Sequence, residues 1–301
     1  MRRRVSGVLL LDKPVGISSN HALQAAKRLY RAEKAGHAGT LDPLASGLLP
    51  VLLGDATRFS GLLLNAEKGY RADVRLGVKT TTGDAEGEVL ERRPVHAGQA
   101  EVEAVLSRFL GPQTQIPPMY SALKRNGQPL YELARRGETV EREPRNIEIF
   151  RLELQSREPE KLVLNVSCSK GTYIRTLAED IGEALGCGAH LGGLRRTATG
   201  AFRIEEAVSL DTLEALPEDR RDSLLRPVDA VLTQLPEVVL EEGLTGRFCH
   251  GQTVTLASVP RGVSRVYTPF GQFLGLGEDG GEGRLVPKRL LAEAAKGSPS
   301  G

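Results

Sequence analysis

Cysteine is scarce in this chain: Cys168, Cys187 and Cys249 are the three in 301 residues, and they stand far apart. Neither a zinc pattern nor a disulfide framework can be built from that set, so all three are expected to be small buried apolar residues. The five histidines do not fall at metal-ligand spacing either, and no structural metal is expected. No apolar run approaches the roughly 20 residues that span a bilayer. The start is basic and then apolar, but its apolar part is too short for a signal-peptide core and Asp12 interrupts it. Neither a membrane-spanning helix nor a secretory leader is expected, and a cytoplasmic location is. There is no fixed-period repeat and no nucleotide-binding motif. Net charge is only +2, so no strongly basic or acidic partner is announced by the chain as a whole.

What is present is an ordinary globular composition, 40% hydrophobic and 26% charged. The length suggests one large domain and a small one. Charge is uneven: residues 1–60 carry nine Lys/Arg against four Asp/Glu. A second stretch, residues 116–146, mixes six Lys/Arg with Tyr120, Tyr131 and four acids. Basic side chains interleaved with aromatics suit RNA, which offers phosphates and exposed bases together; a solvated face fits the charges equally well.

The string Gly36-His37-Ala38-Gly39-Thr40-Leu41-Asp42-Pro43-Leu44-Ala45-Ser46-Gly47 organises the rest. Its glycines imply unusual dihedrals or close backbone approach. Pro43 restrains Asp42 to an extended conformation, so one carboxylate is held stiffly in a loop. Taken alone, Asp-Pro is a common turn dipeptide, and Asp42 could simply cap a neighbouring backbone.

Around this loop, Val8–Leu11 reads as a strand and Asp12–Gly16 as a turn. Ser18 or Ser19 caps a helix to about Arg31, with Ala22, Leu23, Ala26, Leu29 and Tyr30 at helical spacing. Leu48–Leu53 is a buried strand or a short helix. Tyr70, Ala72, Val74 and Leu76 alternate along a strand, and Thr80–Gly87 is a polar loop. Ala100–Phe109 is a short helix. Ile147–Leu154 and Lys161–Ser167 form a hairpin around residues 156–160. Ile174, Leu177, Ala178, Ile181 and Leu185 make one apolar helix face that Gly186 ends. Tyr173 and Arg175 therefore sit at a strand-to-helix junction, a place suited to anions and to polar side chains entering a cleft. Helices and linker fill 210–235, and short glycine-punctuated strands follow from Val238.

Five strings, in order along residues 7–205, resemble the bacterial pseudouridine synthases that modify uridine 55 in the T-loop of tRNA. They are Asp12-Lys13-Pro14-Val15-Gly16-Ile17-Ser18-Ser19, the Asp42 loop, the Tyr70 strand with its following loop, Lys170-Gly171-Thr172-Tyr173-Ile174-Arg175-Thr176, and Cys187–Thr197. The resemblance implies an α+β fold: a mixed, largely antiparallel sheet with flanking helices, plus a small C-terminal β-barrel of PUA type. It implies a catalytic domain over 1–234 with an RNA-gripping insertion at about 112–146, a PUA-like domain over 235–293, and a disordered tail at 294–301. It implies that Asp42 is the catalytic carboxylate, Arg175 its ion-pair partner, and Tyr70 and Tyr173 rings of the base pocket. Leu194 would contact the base, and His37 would fill the vacated place or stack on the displaced nucleotide. Lys13, Lys124, Arg125, Arg195 and Arg196 are candidates for the RNA backbone, Lys13 having a turn-forming role as its alternative. At Gly192 and Gly193 a looser backbone is expected.

The activity so implied is isomerisation of uridine to pseudouridine in the tRNA T-stem-loop, by a monomer without cofactor, metal or protein partner. The chemistry needs a fixed carboxylate beside the ribose, to attack covalently or to take the 2′ proton. A glycoside or nucleoside hydrolase would ordinarily want paired carboxylates, and Asp42 has no obvious partner. From another class, a non-catalytic tRNA-binding protein or RNA chaperone could use the same cleft. A family member guided by small RNAs within a larger complex would carry extensions beyond this length.

Overall fold

The apolar run at Leu48–Leu53 forms a strand that is buried along nearly its whole length. Burial on both faces removes alternation, so strand and helix cannot be told apart there from the pattern alone. In the computed structural model, which describes residues 2–121, 123–125 and 127–291, the elements run in chain order as follows. β1 (Gly7–Lys13), α1 (Ser19–Leu29), β2 (Ala35–His37) and β3 (Ala45–Leu53) come first. Next are α2 (Ser60–Asn65), β4 (Lys68–Leu76), β5 (Val78–Thr80), β6 (Val89–Arg92), α3 (Gln99–Arg108) and β7 (Gly111–Gln115). β8 (Lys124–Arg125), β9 (Gln128–Pro129), α4 (Leu130–Arg135), β10 (Arg145–Glu158) and β11 (Lys161–Cys168) follow. α5 (Ile174–Ala184), β12 (Ala189–Thr199), β13 (Phe202–Arg203) and β14 (Val208–Ser209) complete the larger part.

Among the described residues, ten strands form one sheet in the order β14-β1-β3-β12-β4-β11-β10-β7, with β2 on β3 and β13 on β12. Two pairings are parallel, β1 with β14 and β3 with β12, and the others are antiparallel. The fold is α+β, a mixed and largely antiparallel sheet with flanking helices. β3 serves two cores by its alternation: Leu49, Val51 and Leu53 pack with α1, while Leu48 and Leu52 pack with Phe59 on the other face. α3 and α5 cover β4, β10 and β11 through Val102, Leu106, Leu177 and Ile181.

One local expectation is resolved and two change. Ser18 is the α1 cap, accepting from the His21 amide, and Ser19 is left for another task. The 156–160 hairpin loop is tighter, because β10 runs to Glu158 and pairs it with Lys161. That end of the ladder is exposed and polar, so it carries no hydrophobic signal. Gly192 and Gly193 are not in a loose segment: they lie in β12, between β3 and β4, at a register shift. A Cβ on Gly192 would meet Arg75 Cγ at 2.8 Å, so the glycine permits close approach.

A second, five-stranded sheet follows in the order Glu237–Val239, Val263–Tyr267, Phe273–Asp279, Arg284–Leu290, Val254–Thr255. It curls into a small half-open barrel of PUA type. It is held to the larger part by Phe273 against Phe59, ring centroids 6.0 Å apart, and by the Tyr267 hydroxyl donating to Asp229 at 2.7 Å. The expected tail, 294–301, lies outside the described residues. Among those described, no helix is long and apolar enough to cross a membrane.

Candidate active site

Residues 38–44 link β2 to β3 and carry Asp42. The buried Ser19 Oγ donates to the Leu41 carbonyl (3.0 Å) and accepts from the Leu41 amide (2.7 Å). On the other side, the Pro43 carbonyl accepts from Gly16 N at 2.8 Å and the Asp42 carbonyl from Ala45 N at 3.0 Å. Asp42 is thus pinned from both flanks, while its side chain stays 49% exposed. Gly47, at φ +102°, lies so close to β12 that a Cβ would sit 2.3 Å from the Arg196 carbonyl oxygen.

Arg175 enters from the first turn of α5, its side chain only 8% exposed. Its Nη2 pairs with Asp42 Oδ2 at 2.9 Å and donates to the Tyr120 carbonyl at 2.6 Å. Its Nη1 reaches the Thr82 carbonyl (3.3 Å) and Asp84 Oδ2 (3.4 Å). Asp84 is itself buried, accepting from the Glu86 amide at 3.1 Å and from the Thr82 hydroxyl. One guanidinium therefore ties three segments together by charge-assisted bonds: the Asp42 loop, the 80–87 loop and the insertion.

Asp84 is a site residue that the sequence reading missed. Its signal was present, a carboxylate bracketed by Gly83 and Gly87 in a polar loop, but nothing in the chain order directs that loop to Arg175. Backbone bonds from Leu191 N to the Gly83 carbonyl and from Ala85 N to the Leu191 carbonyl, each 3.0 Å, bring it there. Arg175 thus has a second carboxylate, so Asp42 is half of a bridged pair and is not isolated.

The cleft above this network has a volume of about 350 Å³, and Asp42, Tyr70, Tyr173, Arg175 and Leu194 all line it. Tyr173 caps α5, its backbone held by the buried Gln115, which accepts from Tyr173 N (2.7 Å) and donates to its carbonyl (3.0 Å). Tyr70 lies on β4 opposite Arg196, and Leu194 on β12 opposite Ala72. Burial pushes both phenols above their ordinary range. Two aromatic rings, one aliphatic side chain and one reachable carboxylate make a site for a flat polar ring attached to a sugar.

Other candidates are placed differently. His37 is not among the residues that line the cleft; it sits on β2 opposite Val51, its Nδ1 without a hydrogen-bond partner. Lys13 is fully buried, donating to the Pro14 (2.9 Å) and Ile17 (2.6 Å) carbonyls, so it fastens the turn and offers nothing to an RNA backbone. Burial lowers its ammonium to about 8. Arg196 is 1% exposed and likewise unavailable at the surface. Arg195 forks onto Asp12 at 2.7 and 3.0 Å and faces an acidic side chain of its own protein. Lys124 and Arg125 are exposed on β8. With Arg142 and Arg145, and with Glu141 and Glu143, they line a second groove of about 340 Å³ that shares Leu123 with the cleft. Lys68, also unforeseen, lines the cleft and donates to the Leu63 (3.2 Å) and Leu64 (2.7 Å) carbonyls at the end of α2.

Comparison with known proteins gives consistent matches. Residues 27–174 match the model of the TruB family pseudouridylate synthase N-terminal domain. Residues 175–233 match the tRNA pseudouridylate synthase B C-terminal domain, and residues 236–291 the C-terminal region of pseudouridine synthase II TruB. The tRNA pseudouridine synthase B of Burkholderia mallei (strain NCTC 10247) is 56% identical over 98% of this chain and 99% of its own length. That of Ectopseudomonas mendocina (strain ymp) is 53% identical, covering 98% of each. Among solved structures, Cbf5 of an archaeal box H/ACA sRNP Nop10-Cbf5 complex is 26% identical with TM-score 0.69, over 95% of this chain and 86% of that one. Cbf5 of a Cbf5-Nop10-Gar1 complex is 28% identical with TM-score 0.68, over 97% and 81%.

Proposed function

The chain belongs to the TruB family of pseudouridylate synthases, and on that premise we propose that it converts uridine 55 in the T-loop of tRNA to pseudouridine, with Asp42 as the essential carboxylate. The observation that carries the assignment to Asp42 is its ion pair with Arg175 at 2.9 Å, at the floor of a cleft where the carboxylate is still half exposed. Burial alone would raise a carboxyl pKa, and an opposite charge at this distance favours the ionised form that the chemistry requires.

The reaction breaks the C1′–N1 bond, turns the uracil and joins C1′ to C5. C5 then gives up its proton and N1 gains one, so no external oxidant, reductant or cofactor enters the balance. Asp42 either bonds to the sugar carbon or takes the 2′ proton while stabilising positive charge on the ribose. The target base has to leave the loop stack, which costs a few kcal/mol, and stacking on a ring returns about 1–3 kcal/mol. Tyr70 and Tyr173 are the rings assigned to that task, and Leu194 packs against the base. Residues 1–234 form the catalytic part and 235–293 a small RNA-binding part. The groove at Lys124 and Arg125 takes the phosphate backbone of the T-arm. The enzyme acts as a monomer in the cytoplasm. A purely tRNA-binding role would leave the reachable, guanidinium-paired carboxylate without a purpose.

The test is tritium release from tRNA transcript carrying [5-³H]uridine. Wild type is expected to release tritium and Asp42→Asn to release none while still binding the transcript. A T-loop U-to-C transcript should be inert. Release by Asp42→Asn at the wild-type rate would overturn the assignment.

A further inference from the structure

Arg196 is among the largest fully buried side chains of the protein, and no carboxylate pairs with it among the described residues. Its Nε donates to the Leu48 carbonyl at 2.7 Å and its Nη2 to the Gly39 carbonyl at 3.1 Å. Across the strand pair it stands directly opposite Tyr70 of β4. Its positive charge disfavours protonation of Lys13, Lys68 and His37 alike, so the side chains around it add no anion. Burying a guanidinium without a counter-charge is costly, and a core that needed only stability would replace it with apolar side chains of similar volume.

The chain is shaped to admit it nonetheless. Gly39 is at φ +90°, and a Cβ there would come within 3.2 Å of Arg196 Nη1. The guanidinium thus lies between the loop that holds Asp42 and the ring of Tyr70, and it also lines the cleft. A missing negative charge in such a place points to one that arrives or forms with the substrate.

We propose that Arg196 is a positioning residue for the departing uracil: it donates to the Tyr70 hydroxyl oxygen, so that the Tyr70 proton is free to point into the cleft, and it places positive charge behind the ring while that ring is negative. This rests on the reading of the site given above. When C1′–N1 breaks, the electron pair stays on N1, and the detached uracil is an anion delocalised over N1 and its carbonyl oxygens. That pair is drawn into the new C1′–C5 bond when the ring rejoins. Arg196 keeps its protons throughout. Donors fixed in advance where charge develops stabilise it without reorganisation, which is the most effective form of electrostatic assistance.

A purely structural role and this one differ in their dependence on the leaving group. Electron withdrawal by fluorine at C5 stabilises the uracil anion by itself. Arg196→Gln, which keeps donors and loses charge, is therefore compared with wild type on uridine and on 5-fluorouridine tRNA transcripts. Single-turnover conversion is read per tRNA-binding site. We expect about a 100-fold loss on uridine, the scale of removing one preorganised donor, and a much smaller loss on 5-fluorouridine. Arg196→Lys, which retains charge, should lie between wild type and Arg196→Gln on uridine. If Arg196→Gln does not fold, Tyr70→Phe removes the hydroxyl that links the guanidinium to the cleft and should show the same selective loss. Equal losses on both transcripts in a folded variant would overturn the proposal and leave the Asp42 assignment standing. A wild type inert on both would overturn the two together.

Discussion

The loop that carries Asp42 is fastened by groups that do not reach solvent, whereas the segment across the cleft, residues 116–143, is fastened largely by groups that do. On the floor, Ser19, Lys13 and Arg196 are each 1% exposed or less, and each holds backbone carbonyls. In the insertion, Arg136 pairs with Glu138 at 2.7 Å with both side chains about half exposed, and Arg125 donates to the Glu141 carbonyl from the surface. Exposed pairs of this kind contribute about 0–1 kcal/mol, while polar contacts in a low-dielectric interior are stronger and are expensive to leave half made. The floor is therefore held rigidly by buried contacts, and the insertion can rearrange at little cost, as the proposed grip on RNA requires. On the proposed function, rigidity lies where atoms must be placed for bond breaking, and adaptability where a large backbone has to be embraced.

Arg175 touches both walls, so removing it breaks the comparison most severely. Arg175→Met frees the Asp42 carboxylate, releases the Tyr120 carbonyl and strands Asp84, whose side chain is 5% exposed. Breaking a buried pair by deleting one partner typically costs about 3–5 kcal/mol. Chemical denaturation should show a loss of that order, with single-turnover pseudouridine formation down about 100-fold or more. Adding Asp84→Asn removes the stranded charge and should restore much of the stability without restoring turnover. Recovery of turnover in the double variant would show that the contact to Asp42 serves folding alone.

A smaller effect is expected across the cleft. Lys124→Ala with Arg125→Ala removes two exposed cations from the insertion groove. Binding of tRNA should weaken several-fold at low salt, and the slope of log affinity against log salt should shrink by about 1–2, as for the loss of two phosphate contacts. The rate constant of bound substrate should hardly change, since neither side chain lines the catalytic cleft. A fall in that rate with unchanged affinity would mean that the insertion positions the base, and the division between rigid floor and adaptable grip would be wrong.

The residues that line the floor were legible through the family strings, because each string is a short local stretch. Asp42 is stiffened by its own Pro43, but its pairing with Arg175 was expected from the resemblance of their two strings and not from spacing, since Asp42 taken alone could simply cap a turn; the structure brings the two to 2.9 Å. Asp84 was not legible, because its importance comes from a tertiary contact made by a loop that is unremarkable in composition. Arg195 and Arg196 show the limit most plainly. As neighbours they look alike in the chain, yet successive residues of a strand point to opposite faces. Arg195 goes outward to Asp12, while Arg196 goes inward beneath Gly39 and Tyr70. Lys13 and Lys68 mislead in the same way: lysine is read as a surface residue, and here both ammonium groups are spent on backbone carbonyls in the interior. The small C-terminal sheet gave a weaker signal, since short glycine-rich strands fit many curled sheets.

The smallest effect tests whether the buried character of the floor extends to the start of the Asp42 loop. His37 is half-buried, and burial first and the charge of Arg196 second push its imidazole below its ordinary 6.5. It is therefore neutral at pH 7 in the folded protein. On acidification the unfolded chain takes up the proton first, so stability is lost as pH falls from 6.5 towards the lower folded value, and below that value the loss levels off. The slope within that window is at most about 1.4 kcal/mol per pH unit for one group. His37→Gln removes the titration, and its stability should fall less than that of wild type between pH 7 and pH 5 in paired denaturant titrations. Parallel curves would mean that the ring is solvated in both states. Saturating tRNA sharpens the result: if His37 leaves its site on β2 to stack on the displaced nucleotide, its solvent screening changes, and the difference between the two proteins should differ between free and bound forms. An unchanged difference would keep His37 as part of the wall behind Arg196 and out of the RNA interface.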